Sequence, residues 1–146
     1  MNFTVHILGT ASALPTSARY PSAQIVDVRG RLFMIDCGEG AQMQIRKAGI
    51  SFLKIEHICL SHIHGDHIFG IFGLLSTMGM FGRSSVLNIY APKSFAPVLD
   101  FFMLHFGEGV KYEIEKATPK VVELPTAGTV TYGTALSGSV LTGGSV

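Results

Sequence analysis

Charge is scarce: only 14% of the 146 residues are Asp, Glu, Lys or Arg, against roughly 25% in ordinary globular proteins. Either much of the surface is covered by something else or part of the fold is missing. An excess of one sign is lacking too, since eleven basic residues face ten acidic ones and leave a net charge of +1. That balance excludes a general electrostatic attraction to nucleic acid or an anionic membrane, so any such partner must be held at a local site. No cationic start followed by an apolar run opens the chain at Met1 to His6, which argues against a secretory leader and for a cytoplasmic protein. The longest apolar stretch, Ile68 to Phe81, is broken by Gly70, Gly73, Ser76, Thr77 and Gly79 and falls short of the ~20 residues that span a bilayer. Cysteine is limited to Cys37 and Cys59, each in an apolar segment, the pattern of buried free thiols in a reducing compartment.

Hydrophobic residues make up 47% of the chain, enough for one core, and the length fits one domain. Phe3, Val5 and Ile7 alternate with Thr4 and His6, which predicts a strand with these three on its buried face. Gln24 to Val28 and Arg31 to Ile35 predict a hairpin turning at Arg29-Gly30. Ala41 to Ala48 predicts a short helix capped by Gly49, and Ile55 to Leu60 a buried strand. His67 to Met80 has helical length, with glycines that close packing against a sheet would explain. Val86 to Tyr90 predicts a strand, Ser94 caps a helix running to Phe106, and Tyr112 to Lys116 and Lys120 to Leu124 predict further strands. The order implies an α/β fold with a mixed sheet. From Thr126 to Val146 the composition changes: thirteen of twenty-one residues are Gly, Ser or Thr and none is charged. The division is therefore 1–125 for the folded part and 126–146 for a tail, which reads as a flexible end, a β-prone extension around Val130 to Tyr132, or sequence foreign to the parent protein.

Ser61-His62-Ile63-His64-Gly65-Asp66-His67 gathers three of the six histidines and an aspartate within six positions, directly after a predicted strand. In extended chain, residues two apart point the same way, so His62 and His64 present their rings to one spot. Gly65 permits a turn, and Asp66 and His67 then open the next helix and face a second spot nearby. Imidazole nitrogen and carboxylate oxygen suit Zn²⁺, with Mn²⁺ or Fe²⁺ as alternatives. The end of a strand is also where α/β sheets place their active sites. His6, His57 and His105 stand alone and read as packed or hydrogen-bonded structural histidines.

His62-Ile63-His64-Gly65-Asp66-His67 resembles the His-x-His-x-Asp-His signature of the metallo-β-lactamase superfamily. Three blocks in order resemble ribonuclease Z, the endonuclease that removes 3′ trailers from precursor tRNA: Gly9 to Thr16 with Arg19 and Ser22, Ile35 to Gly40 with Gln42, and Ser61 to Gly70 with Leu74-Leu75. The similarity covers about residues 3 to 124. It implies the first half of an αββα sandwich, a mixed sheet with flanking helices. It also implies two zincs per complete active site, with His62 and His64 on one and Asp66 and His67 on the other. Asp66 would be the proton acceptor, and Asp36 an outer carboxylate that hydrogen-bonds a ligand histidine. Paired metals beside a carboxylate suit phosphodiester hydrolysis, and RNA would be recognised mainly by shape and phosphate contacts.

Ribonuclease Z chains are about twice as long. Their second half carries the remaining ligands and the arm that grips tRNA, so the expectation is an N-terminal half, inactive alone, with an apolar face left bare. Two other readings compete: a hydrolase of small esters within the same superfamily, and a non-catalytic module that forms a homodimer to complete the sandwich.

Overall fold

The computed structural model describes residues 3–14, 16–107, 109–116, 126–127 and 141–142. The chain folds as β1 (Phe3–Gly9), β2 (Ala23–Val28), β3 (Arg31–Ile35), α1 (Ala41–Lys47), β4 (Ile55–Cys59), α2 (Gly65–Met80), β5 (Leu87–Ala91), α3 (Ala96–Phe106) and β6 (Tyr112–Lys116). Two short strands, β7 (Thr126–Ala127) and β8 (Leu141–Thr142), pair antiparallel with each other. The expected strand Lys120 to Leu124 and the β-prone Val130 to Tyr132 lie outside the described residues.

One six-stranded sheet runs in chain order from β1 to β6. The first three strands are antiparallel neighbours, and β3 to β6 are parallel, joined through helices. The Arg29-Gly30 hairpin forms as expected, because a two-residue turn matched to strand twist needs φ > 0 at both positions, and these are 56° and 85°. Gly30 N–H also donates to Asp27 Oδ1 at 2.7 Å.

Ile25, Met34, Ile55, Ile58, Leu87 and Ile89 point to one face of the sheet and are fully buried. The helices cover that face. From α2, Ile71, Leu74, Leu75 and Met78 reach it and are fully buried, each contributing about 1.5–3 kcal/mol by removal from water. The other face is bare among the described residues. The β1–β2–β3 register places Phe3, Val5 and Ile7 beside Val28, Val26 and Gln24, and these beside Arg31, Phe33 and Ile35.

This corrects the expectation for β1. Phe3 and Ile7 are 62% and 61% exposed, Val5 is exposed too, and Leu8 near the strand's end is the buried residue. The alternation was read in the right period, but it belongs to the apolar face of the sheet that no described element covers. Three smaller corrections follow. Helix α2 starts at Gly65 rather than His67, because His64 is still extended and Asp66 in the first turn favours the positive end of the helix. Ser94 is not a cap: it lies within a 3-10 turn, Lys93–Phe95, that leads into α3, and Pro97 in the first turn sets the start. Strand β4 is buried on one side only, with Glu56 exposed and His57 and Cys59 half-buried.

Helix α3 is tied to β6 by the Tyr112 hydroxyl, which donates to Asp100 Oδ1 at 2.7 Å. Burial first, then this hydrogen bond and the Asp100 charge, push the Tyr112 phenol up to about 12. The folded value is raised, so the stabilisation is complete below the ordinary tyrosine range near pH 10 and is lost as pH rises through about 12. Melting temperatures between pH 8 and 12 should therefore fall more steeply for the parent than for Tyr112→Phe, which lacks the proton. Parallel curves would remove this tie from the stability of the fold.

Candidate metal centre

The sheet delivers the candidate residues to one end. Strand β3 ends at Ile35, and Asp36 follows with φ 54°, a left-handed conformation uncommon for a residue with a side chain. Its N–H donates to the Cys59 carbonyl at 2.9 Å, holding it against the end of β4. Strand β4 ends at Cys59, and Ser61 to His64 carry the chain across the sheet's C-terminal edge into α2. Helix α2 is then clasped by the loop after β3. Cys37 N–H donates to the His67 carbonyl at 2.7 Å and Gly70 N–H to the Cys37 carbonyl at 2.8 Å. Gly70 makes this approach possible, since a Cβ there would collide with the Gly38 carbonyl.

Asp36 is the hub. Its Oδ1 accepts from the Ser61 backbone N–H and from the Ser61 hydroxyl, both at 2.8 Å. Its Oδ2 accepts from His67 Nδ1 at 2.6 Å and from the Ser22 hydroxyl at 3.3 Å. Burial pushes the Asp36 carboxyl up, but the hydrogen bonds from Ser61 and His67, together with the His67 charge, outweigh it and hold the carboxyl below its ordinary value. The ionised form is therefore the one built into the fold. Ser61 extends the hub: its Oγ lies 3.0 Å from His62 Nδ1. With the hydroxyl proton directed to Asp36, Ser61 Oγ is the acceptor for His62 Nδ1–H. In their neutral form His62 and His67 then keep a proton on Nδ1 and a free lone pair on Nε2, the form in which imidazole binds metals.

All five expected residues, Asp36, His62, His64, Asp66 and His67, meet at this end of the sheet. The ring centroid of His62 lies 4.6 Å from that of His64 and 4.0 Å from that of His67. Asp66 Oδ2 is 3.5 Å from His67 Nε2. His64 is exposed and the others are half-buried or buried. The donor chemistry fits a borderline metal: imidazole nitrogens with their tautomers set from behind, and a carboxylate alongside. The number of donors is short, since among the described residues no group of three or more His, Cys, Asp or Glu side chains is arranged to hold an ion.

Sequence reasoning named the five residues that meet here but assigned no role to Ser61, which links Asp36 to His62. Two of the other three histidines, His57 and His105, have structural roles, as expected. His57 is stacked between Phe33 and Tyr90, with centroids at 4.8 and 5.9 Å, and His105 Nδ1 donates to the Phe101 carbonyl at 2.9 Å. Both cysteines are free. Cys37 is buried and Cys59 half-buried, and burial, then the Asp36 charge, raises both thiols above their ordinary value. Neither is built as a nucleophile.

A family model described as "Anti-Pycsar protein Apyc1" matches residues 3–118. The chain belongs to that family. A protein named ribonuclease Z from Bacteroides thetaiotaomicron is 53% identical over 125 residues, which are 82% of this chain and 40% of that protein. Another of that name from Phocaeicola vulgatus is 49% identical over 116 residues, 77% of this chain and 36% of that protein. The chain thus spans well under half the length of these relatives. The crystal structure of the short form of human tRNase Z superposes with a TM-score of 0.71 at 32% identity, over 77% of this chain and 44% of that one. The metallo-β-lactamase-fold protein YhfI from Bacillus subtilis, at 20% identity, gives a TM-score of 0.62. The fold is the α/β metallo-β-lactamase fold, and the resemblance to ribonuclease Z holds across the site-bearing segment. No helix among the described residues is long and apolar enough to cross a membrane.

Proposed function

We propose that this chain carries the metal-binding half of a zinc-dependent phosphodiesterase that removes 3′ trailers from precursor tRNA. The observation that carries the reading is the Asp36 hub, which fixes the tautomers of two histidines beside Asp66 and His64. Relatives named ribonuclease Z at about half identity support the substrate class. On this reading His62 and His64 hold one zinc, Asp66 and His67 the other, with manganese or iron as alternatives. Bound there, the metals would supply positive charge to polarise the phosphodiester and to acidify the attacking water. Asp66, at the start of α2, accepts the proton. Asp36 and Ser61 hold the Nδ1 side of the His67 and His62 rings, which would leave Nε2 of each for a metal. Arg19 and Lys47, which line a polar cleft of about 350 Å³, would meet RNA phosphates on this reading.

A catalytic zinc normally has three protein ligands plus water, and this segment offers two to each. A working centre takes its remaining donors from outside the described residues, of this chain or of a second copy. Without those donors the described segment should bind zinc weakly and leave precursor tRNA uncut.

The test is a chimera in which residues 3–118 replace the matching segment of the Bacteroides thetaiotaomicron relative. Trailer removal from precursor tRNA should persist, and His64→Ala should reduce it by about a thousandfold, the order of loss when a main transition-state contact is removed. A chimera that folds and binds zinc yet hydrolyses only a small phosphodiester would replace the tRNA reading with the small-ester one.

A further inference from the structure

The outer surface of α2 carries an aromatic ring at the mouth of the candidate centre. Phe69 is 62% exposed and lines a cleft of about 410 Å³ together with His64, Gly65, Asp66, Glu39 and Pro21. A cleft of that size admits a small organic ligand. The ring is seated, because it lies over Gly65 one helical turn earlier, and any Cβ at that position would strike it. Gly65 is thus the residue that lets an aromatic face sit immediately beside His64 and Asp66. An exposed phenylalanine gains nothing from water, and the groups next to it are the ones assigned to the phosphodiester.

We propose that Phe69 is a stacking platform for one unpaired nucleobase of the RNA, next to the phosphodiester held at His64 and Asp66. This rests on the phosphodiesterase reading and deepens it by naming how the nucleoside is gripped. Every base has a π-face, so a single ring gives affinity with little sequence preference. That suits a site which must accept trailers of many sequences. Glu39, which also lines the cleft, repels a second phosphate and leaves the grip to stacking.

The chain has no tryptophan, so Phe69→Trp places a single indole at this position as a reporter. Titration with a single-stranded oligoribonucleotide should quench its fluorescence, and an abasic ribose-phosphate oligomer of equal length should bind about tenfold more weakly without quenching. Measured by an RNA-borne label, Phe69→Ala should bind the oligoribonucleotide as weakly as the parent binds the abasic oligomer, while Phe69→Tyr restores the difference. Circular dichroism checks that each variant is folded. Equal binding of both oligomers, unchanged in Phe69→Ala, overturns the platform and leaves the nuclease reading intact. Failure of the parent to bind either oligomer overturns it as well, and trailer removal by the chimera then decides whether the nuclease reading survives.

Discussion

Replacing Asp36 by asparagine will weaken zinc binding about 10–100-fold, the usual consequence of losing an outer carboxylate behind a metal-ligating histidine. The substitution is a clean one. Asparagine tolerates the left-handed backbone at φ 54° as aspartate does, and its side-chain oxygen can still accept from the Ser61 backbone N–H. What it removes is the negative charge and the acceptor facing His67 Nδ1 at 2.6 Å, since the amide NH2 that takes this place donates and opposes the Nδ1–H. Alanine at the same place does more harm: it leaves the Ser61 N–H without its partner, at about 1–3 kcal/mol, and adds about 1–2 kcal/mol of left-handed strain. The two variants therefore separate metal affinity from folding. Isothermal titration with zinc reads the first and urea unfolding the second. Asp36 also sets an acid limit. Its folded value lies below the ordinary one, so its stabilisation is present above the unfolded carboxylate range near pH 4 and fades as pH falls through the folded value. The asparagine variant should show a shallower loss of stability on the acid side. Equal zinc affinity in parent and Asp36→Asn would mean that the hub organises the fold and not the metals.

The second large effect is expected at Gly70→Ala. A Cβ on Gly70 would overlap the Gly38 carbonyl and crowd that of Cys37, both backbone atoms that have no rotamer to escape into. Helix α2 must move outward or the loop after β3 must give way, and the hydrogen bond from Gly70 N–H to the Cys37 carbonyl breaks in either case. Overpacking of this kind costs about 3 kcal/mol, set against the ~0.5–1 kcal/mol that Gly→Ala normally gains inside a helix. Urea unfolding should therefore show a large net loss, and the variant should lose zinc affinity because His67 rides on the displaced turn. Gly82→Ala, at φ 71° with nothing within 4 Å of the added carbon, is the control for conformational strain without collision. A Gly70→Ala protein as stable as the parent would show that the clasp is loose.

Much of this arrangement was legible because its causes are local. The Arg29-Gly30 turn is written in two adjacent residues, and the spacing of His62, His64, Asp66 and His67 is written in six. Asp36 was legible only through family resemblance. Nothing in its neighbourhood distinguishes a hub from a turn residue until β3 and β4 are paired in parallel and Ser61 is brought to its carboxylate. Ser61 was missed for the same reason: its partner lies twenty-five positions away. The face of β1 was misread because period-two patterning shows that a strand has an apolar side without saying which layer covers it. Phe3, Val5 and Ile7 carry that signal while standing on the side opposite the helices. Ser94 had the chemistry of a cap, but Pro97 and the 3-10 turn before it fixed where α3 begins.

The order of the sheet leaves β1 and β6 as its two outer strands among the described residues, and their compositions are unlike. Tyr112-Glu113-Ile114-Glu115-Lys116 puts a formal charge at three of five positions, so a second β6 approaching in line meets like charges and water that is costly to remove. Phe3-Thr4-Val5-His6-Ile7-Leu8-Gly9 carries no Asp, Glu, Lys or Arg, and its free peptide groups are bordered by apolar side chains. Among the described residues, then, unfavourable encounters protect one rim of the sheet, while the other, along β1, is the edge on which a further strand would pair at least cost.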